Sequence, residues 1–157
     1  MTPYPTPTSL DLHDLMTFRN VCLHEQDYLM TILSTYRILD LAVLHLLQDI
    51  ERFESWEKGI YAEIREDFAH IAEGFLGKKA LNQERPGFIE NIILLAMLTD
   101  DISPEDVLNV LSATQIRNQT WLIHGYYFPE KQDAMRMIEL TEHVMKKLLK
   151  RICENQN

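Results

Sequence analysis

Between positions 29 and 53 the apolar residues fall in alternating steps of three and four: Leu29, Ile32, Tyr36, Leu39, Val43, Leu46, Ile50 and Phe53. That spacing holds all eight on one side of an α-helix over several heptads. Leu33, Leu41, Leu44 and Leu47 widen the stripe beyond the needs of a two-stranded zipper. The pattern therefore predicts a long first helix that is the spine of a bundle, with apolar surface left for a partner. No glycine or proline interrupts positions 9 to 58, and the pattern leaves open whether residues 10 to 27 continue this helix or form one of their own.

Four further helices follow from local signals. Ser55 is placed to cap a second helix running to about Leu76, and the polar stretch "GKKALNQERPG" leads away from it. Pro86 suits the first turn of a third helix, which reaches about Leu98 and is apolar nearly all round, as a central helix must be. In "DDISPEDVL", Ser103 reads as an N-cap, Pro104 as the first helical residue and Asp106 as the acid of a capping box. This fourth helix is expected to stop near Gly125, with "YYFP" as the turn and Pro129 opening the last helix. There Ile138, Thr141, Met145, Leu148 and Ile152 form a core stripe, while Lys146, Lys147, Lys150 and Arg151 read as a solvated helix end favoured by the macrodipole. The expected fold is all-α: a helical bundle of about five helices. It makes a single domain over residues 9–157, preceded by a flexible Pro/Thr-rich leader over residues 1–8.

Composition narrows the function classes. The net charge of −9 argues against coating nucleic acid by bulk charge, although a small cationic site is still allowed. Cys22 and Cys153 make neither a metal pattern nor a disulfide framework, which suits a reduced cytoplasm. The N-terminus lacks the basic and apolar regions of a signal peptide, and the apolar run "IILLAML" is too short to span a membrane. Neither membrane nor DNA is an expected partner.

Three pairs of an arginine and a following histidine are candidates: Arg19 and His24, Arg65 and His70, Arg117 and His124. Five helical steps turn the first two pairs onto different faces. Seven steps make nearly two turns, so a continuous helix would put Arg117 and His124 on one face about 10 Å apart along the axis. By spacing alone, a structural role at a helix end is the plainer reading. The neighbours change that balance: Asn118 can orient the arginine, Trp121 and Leu122 can anchor the segment, and Tyr126 follows His124 by two residues. The chain holds no pair of Glu-x-x-His motifs of the kind a di-iron bundle requires.

The stretch "IRNQTWLIHGYY", followed by a proline-started helix, resembles the signature of the HEPN superfamily of small helical bundles, many of them RNA-cleaving toxins or defence nucleases. Arg117, Asn118 and His124 match the pattern of an arginine, a polar residue and a histidine, with six residues intervening. The His-x-Tyr that follows is similar to the toxin branch paired with small nucleotidyltransferase antitoxins, where four intervening residues are usual. In that branch the position of Tyr126 is modified with AMP. The resemblance implies a metal-independent endoribonuclease without a cofactor, in which two subunits set their motifs across one cleft. Arg117 would grip phosphate oxygens, His124 would move the proton and Asn118 would orient. The expected partners are RNA, a second copy of the chain and a nucleotidyltransferase-type antitoxin. The alternatives are a catalytically silent bundle that binds a protein partner, or a nucleotide-binding module using the same residues.

Overall fold

The computed structural model describes residues 9–53, 70, 88–120 and 127–155. Among these are five helices and no strand: α1 Ser9–His24, α2 Tyr28–Phe53, α3 Phe88–Leu98, α4 Pro104–Asn118 and α5 Lys131–Asn155. The protein is an all-α bundle. The leader, the helix expected over 55–76 and the connection after it lie outside the described residues.

Residues 10–27 do not run on into the long helix. Asp27 N–H donates to the Cys22 carbonyl at 2.8 Å and Gln26 N–H to that of Leu23 at 3.2 Å, which closes α1 in a Schellman motif. Gln26 takes the left-handed conformation this ending requires, with φ 64°. Asp27 then starts α2, its Oδ1 accepting from Met30 N–H at 3.1 Å. Three polar residues thus end one helix and begin the next.

α2 packs against each of the other four helices. Its seam residues Ile32, Leu39, Val43 and Leu46 are buried, as are Ile38 and Ala42 on the adjoining faces. Thr31, Ser34 and Thr35 are buried too, each hydroxyl donating to the carbonyl four residues earlier at 2.6–2.7 Å. By length and composition α2 could cross a membrane, with a mean hydropathy of 1.4 over Tyr28–Asp49. Its central place in the bundle is sufficient reason for that composition.

The main core joins Leu12 of α1, Ile38 to Leu46 of α2, most of α3, Val107 and Val110 of α4, and Val144, Met145, Leu148 and Ile152 of α5. Four consecutive residues of α3, Ile92 to Leu95, are buried, so the helix is enclosed on every side. Leaving water contributes about 1.5–3 kcal/mol for each such aliphatic side chain. A smaller cluster joins Ile32, Ala113, Ala134 and Met137. These contacts make α5 parallel to α2 and α4 antiparallel to both. Tyr36 packs against both clusters.

The start of α4 is as the sequence predicts: Asp106 N–H donates to Ser103 Oγ at 3.2 Å, and Ser103 N–H to Asp106 Oδ2 at 3.0 Å. Its end is not. α4 stops at Asn118 rather than near Gly125. The Arg117 carbonyl, which would accept from residue 121 in a longer helix, is taken by Thr120 Oγ1 at 2.7 Å and Thr120 N–H at 3.1 Å. Thr120, fully buried, then pairs with Tyr127 in an isolated bridge. The Tyr127 hydroxyl donates to Asp133, whose Oδ2 also accepts from Glu130 N–H at 2.8 Å and caps α5. α5 therefore begins at Lys131, two residues beyond Pro129.

Candidate functional site

Because α4 runs antiparallel to α2, its last turn lies over the N-terminal half of α2. Arg117 projects there onto Tyr36, with its guanidinium carbon 4.2 Å from the ring centroid. Its Nη1 donates to Asn118 Oδ1 at 3.0 Å, a bond between neighbours along the chain. The tyrosine also packs against Phe88 of α3, edge-on with centroids 4.8 Å apart. Arg117 is half-buried, yet no carboxylate among the described residues comes within ion-pairing distance of it. A guanidinium positioned by stacking and one neutral acceptor keeps most of its hydrogen-bonding fork for an anion.

One helical turn beyond Tyr36 lies Asp40, whose side chain is 21% exposed and accepts from Arg37 Nη1 at 2.9 Å. Burial pushes the Asp40 carboxyl above its ordinary pKa, opposed by the charge and hydrogen bond of Arg37 and by the charge of Arg117. Burial likewise raises the Tyr36 phenol. Arg117 opposes this, while Asp40 and Glu90 add to it. Asp40 thus feels the charge of two arginines, one bonded to it and one stacked on the tyrosine a turn away.

His124 and Tyr126 lie outside the described residues, as do Trp121 and Leu122. The bridge between Thr120 and Tyr127 brackets the six positions that contain them. The geometric ground for pairing Arg117 with His124, a shared face on one continuous helix, does not hold, because α4 ends at Asn118. Any approach of the two side chains depends on the path of the chain after Thr120.

The other pairs are placed differently. Arg19 is half-buried between α1 and α5, with Nη1 3.7 Å from Met145 Sδ and Nη2 3.2 Å from Asn20 Oδ1. Burial lowers its pKa and the charge of Glu142 opposes this. His24 and His70 are exposed, and Arg65 lies outside the described residues.

Lys146 pairs with Glu142 at 3.1 Å and Lys150 with Glu154 at 3.9 Å, as a solvated helix end would. Lys147 and Arg151 depart from that expectation. Lys147 Nζ lies 2.7 Å from Asp106 Oδ2 and Arg151 binds Asp101, so the two tie α5 to the start of α4. Burial would raise the Asp106 carboxyl, but the bonds from Lys147 and Ser103 outweigh it and hold its pKa below the ordinary value. His143 Nδ1 stands 3.9 Å from the same carboxylate.

Tyr36, Arg37 and Asp40 were not candidates from sequence. The one available signal was a tyrosine in a mostly aliphatic seam with an aspartate four residues on. Among the described residues no three His, Cys, Asp or Glu side chains are grouped to hold a metal ion. No protein family, curated protein or solved structure matches the chain.

Proposed function

We propose that the protein is a metal-independent endoribonuclease of HEPN type, a cytoplasmic toxin or defence effector with Arg117, Asn118 and His124 at its reaction centre. The observation that supports this reading best is Arg117: a half-buried guanidinium stacked on Tyr36, bonded to Asn118, with no carboxylate in ion-pair contact among the described residues. In the proposed reaction the RNA 2′-hydroxyl attacks the adjacent phosphorus and the bond to the 5′-oxygen breaks. The products are a cyclic phosphate and a 5′-hydroxyl end. Arg117 takes two phosphate oxygens and offsets the extra charge. His124 moves the proton, a role worth about 10²- to 10⁴-fold in rate. A second copy of the chain supplies the other Arg and His across a shared cleft. A nucleotidyltransferase-type antitoxin would silence the site by placing AMP on Tyr126.

The test is cleavage of total RNA with a chelator present. Wild type is expected to cut. Arg117→Ala and His124→Ala are each expected to abolish cutting while stability stays within about 1 kcal/mol, and His24→Ala to keep activity. Unchanged cleavage by His124→Ala would remove the reading. A second reading, a silent bundle that binds a protein partner, draws on Phe18 and Val21, which lie one turn apart on α1 at 46% and 53% exposure. Stable capture of a partner by a chain that cuts no RNA would favour it.

A further inference from the structure

The neighbourhood of Arg117 poses a charge problem that one arginine does not solve. Asp40 acts on it from α2, and Glu90, partly buried on α3, lies near enough to raise the Tyr36 phenol. The charge of Asp40 offsets part of the field of a single guanidinium. A second cation would restore it, and α2 carries one. Arg37 stands beside Tyr36 on α2, with 58% of its side chain exposed, and its fork is turned to Asp40 at 2.9 Å. Asp40 is therefore bound by Arg37 and lies one helical turn from Tyr36, the ring on which Arg117 stacks, so that it feels the charge of both.

We propose that Arg37 and Arg117 together form a binding site for a phosphate-class anion within a single chain, and that Asp40 occupies the place of the anion until one arrives. Tetrahedral phosphate oxygens suit two converging guanidiniums better than a planar carboxylate does, since each arginine can take a separate pair of oxygens. Tyr36 keeps Arg117 in position from beneath. Arg37, on a long exposed stem, is the arm that moves from carboxylate to ligand. Breaking the Arg37–Asp40 pair leaves a partly buried carboxylate without its bonded cation, a cost that the bonds of the arriving anion must exceed. The inference shares Arg117 with the ribonuclease reading but concerns binding, and it needs neither His124 nor a second subunit.

Two probes separate the sources of phosphate: inorganic phosphate, and a short 2′-O-methyl oligoribonucleotide that carries the backbone but cannot be cut. Affinities are measured by calorimetry on the full chain, with circular dichroism as a check on folding. Arg37→Ala is expected to weaken binding about three- to tenfold, with Arg37→Gln as the substitute if alanine impairs folding. Asp40→Asn removes the competitor and is expected to tighten binding about three- to tenfold. Lys146→Ala, exposed at the other end of the bundle, is expected to change nothing. Tighter binding of the oligonucleotide assigns the site to a nucleic-acid backbone, equal binding assigns it to free phosphate, and both support the site. Unchanged affinity in the arginine variants, weaker binding by Asp40→Asn, or no binding by wild type and Asp40→Asn alike overturns it. Cleavage is not read, so a chain that binds as expected but cuts no RNA removes only the enzymatic reading.

Discussion

Gln26 holds a conformation that glycine adopts without strain, and it does so because α1 must end in one residue for Asp27 to begin α2. A non-glycine residue there costs about 1–2 kcal/mol, part of which glycine gives back in unfolded-chain entropy. Gln26→Gly is therefore expected to stabilise the protein by about 0.5–1 kcal/mol in urea denaturation. Two aspartates respond to pH with opposite sign. The Asp106 pKa is depressed, so its contribution is present above its unfolded value, about 3.9, and is lost as the pH falls through the folded value. The Asp40 pKa is raised, so its contribution is present at acid pH and is lost as the pH rises through the folded value. Asp106→Asn is expected to lower stability at pH 7 by about 1–2 kcal/mol and to flatten the acid limb of the stability profile. Asp40→Asn is expected to leave neutral stability equal or higher. Denaturation midpoints across a pH series check both; an identical response of the two variants would contradict the opposed environments.

At the scale of the element, the end of α4 sets the position of Arg117, and Thr120 sets that end. Thr120→Val keeps the shape and removes the hydroxyl from the Arg117 carbonyl. It is expected to cost about 1 kcal/mol and to speed hydrogen exchange at the last turn of α4 more than at α2. Equal exchange in both helices would show that the hydroxyl does not hold the turn. The seam of α2, the Ser103–Asp106 capping box and the stripe of α5 were legible because each is a local rule: a period, a cap, a proline at a first position. The stop at Asn118 was not, because the apolar positions after Arg117 continue at helical spacing and the bond that stops the helix comes from an ordinary threonine. Nor was the pairing of Lys147 with Asp106, which are 41 residues apart and meet only once α4 and α5 lie antiparallel. Of the candidate site, Arg117 and Asn118 could be named from their motif. The platform beneath them could not, since Tyr36 read as one more seam residue.

For the molecule as a whole, the ribonuclease reading requires two copies of the chain, and light scattering at micromolar concentration is expected to report a dimer; a strict monomer would leave no composite cleft. The parallel pairing of α2 with α5 also has a consequence for synthesis. The helix that completes both core clusters, Lys131–Asn155, is the last of the described helices to be made. Until it emerges, the nascent chain carries the apolar face of α2 without that cover, and among the described helices already made α1 with α2, α2 with α3 and α3 with α4 are consecutive pairs that touch. Closure of both clusters is therefore expected to wait for this helix. A chaperone that shields α2 could act until then, and nascent chains stalled before Lys131 are expected to be cut by protease where the finished protein resists.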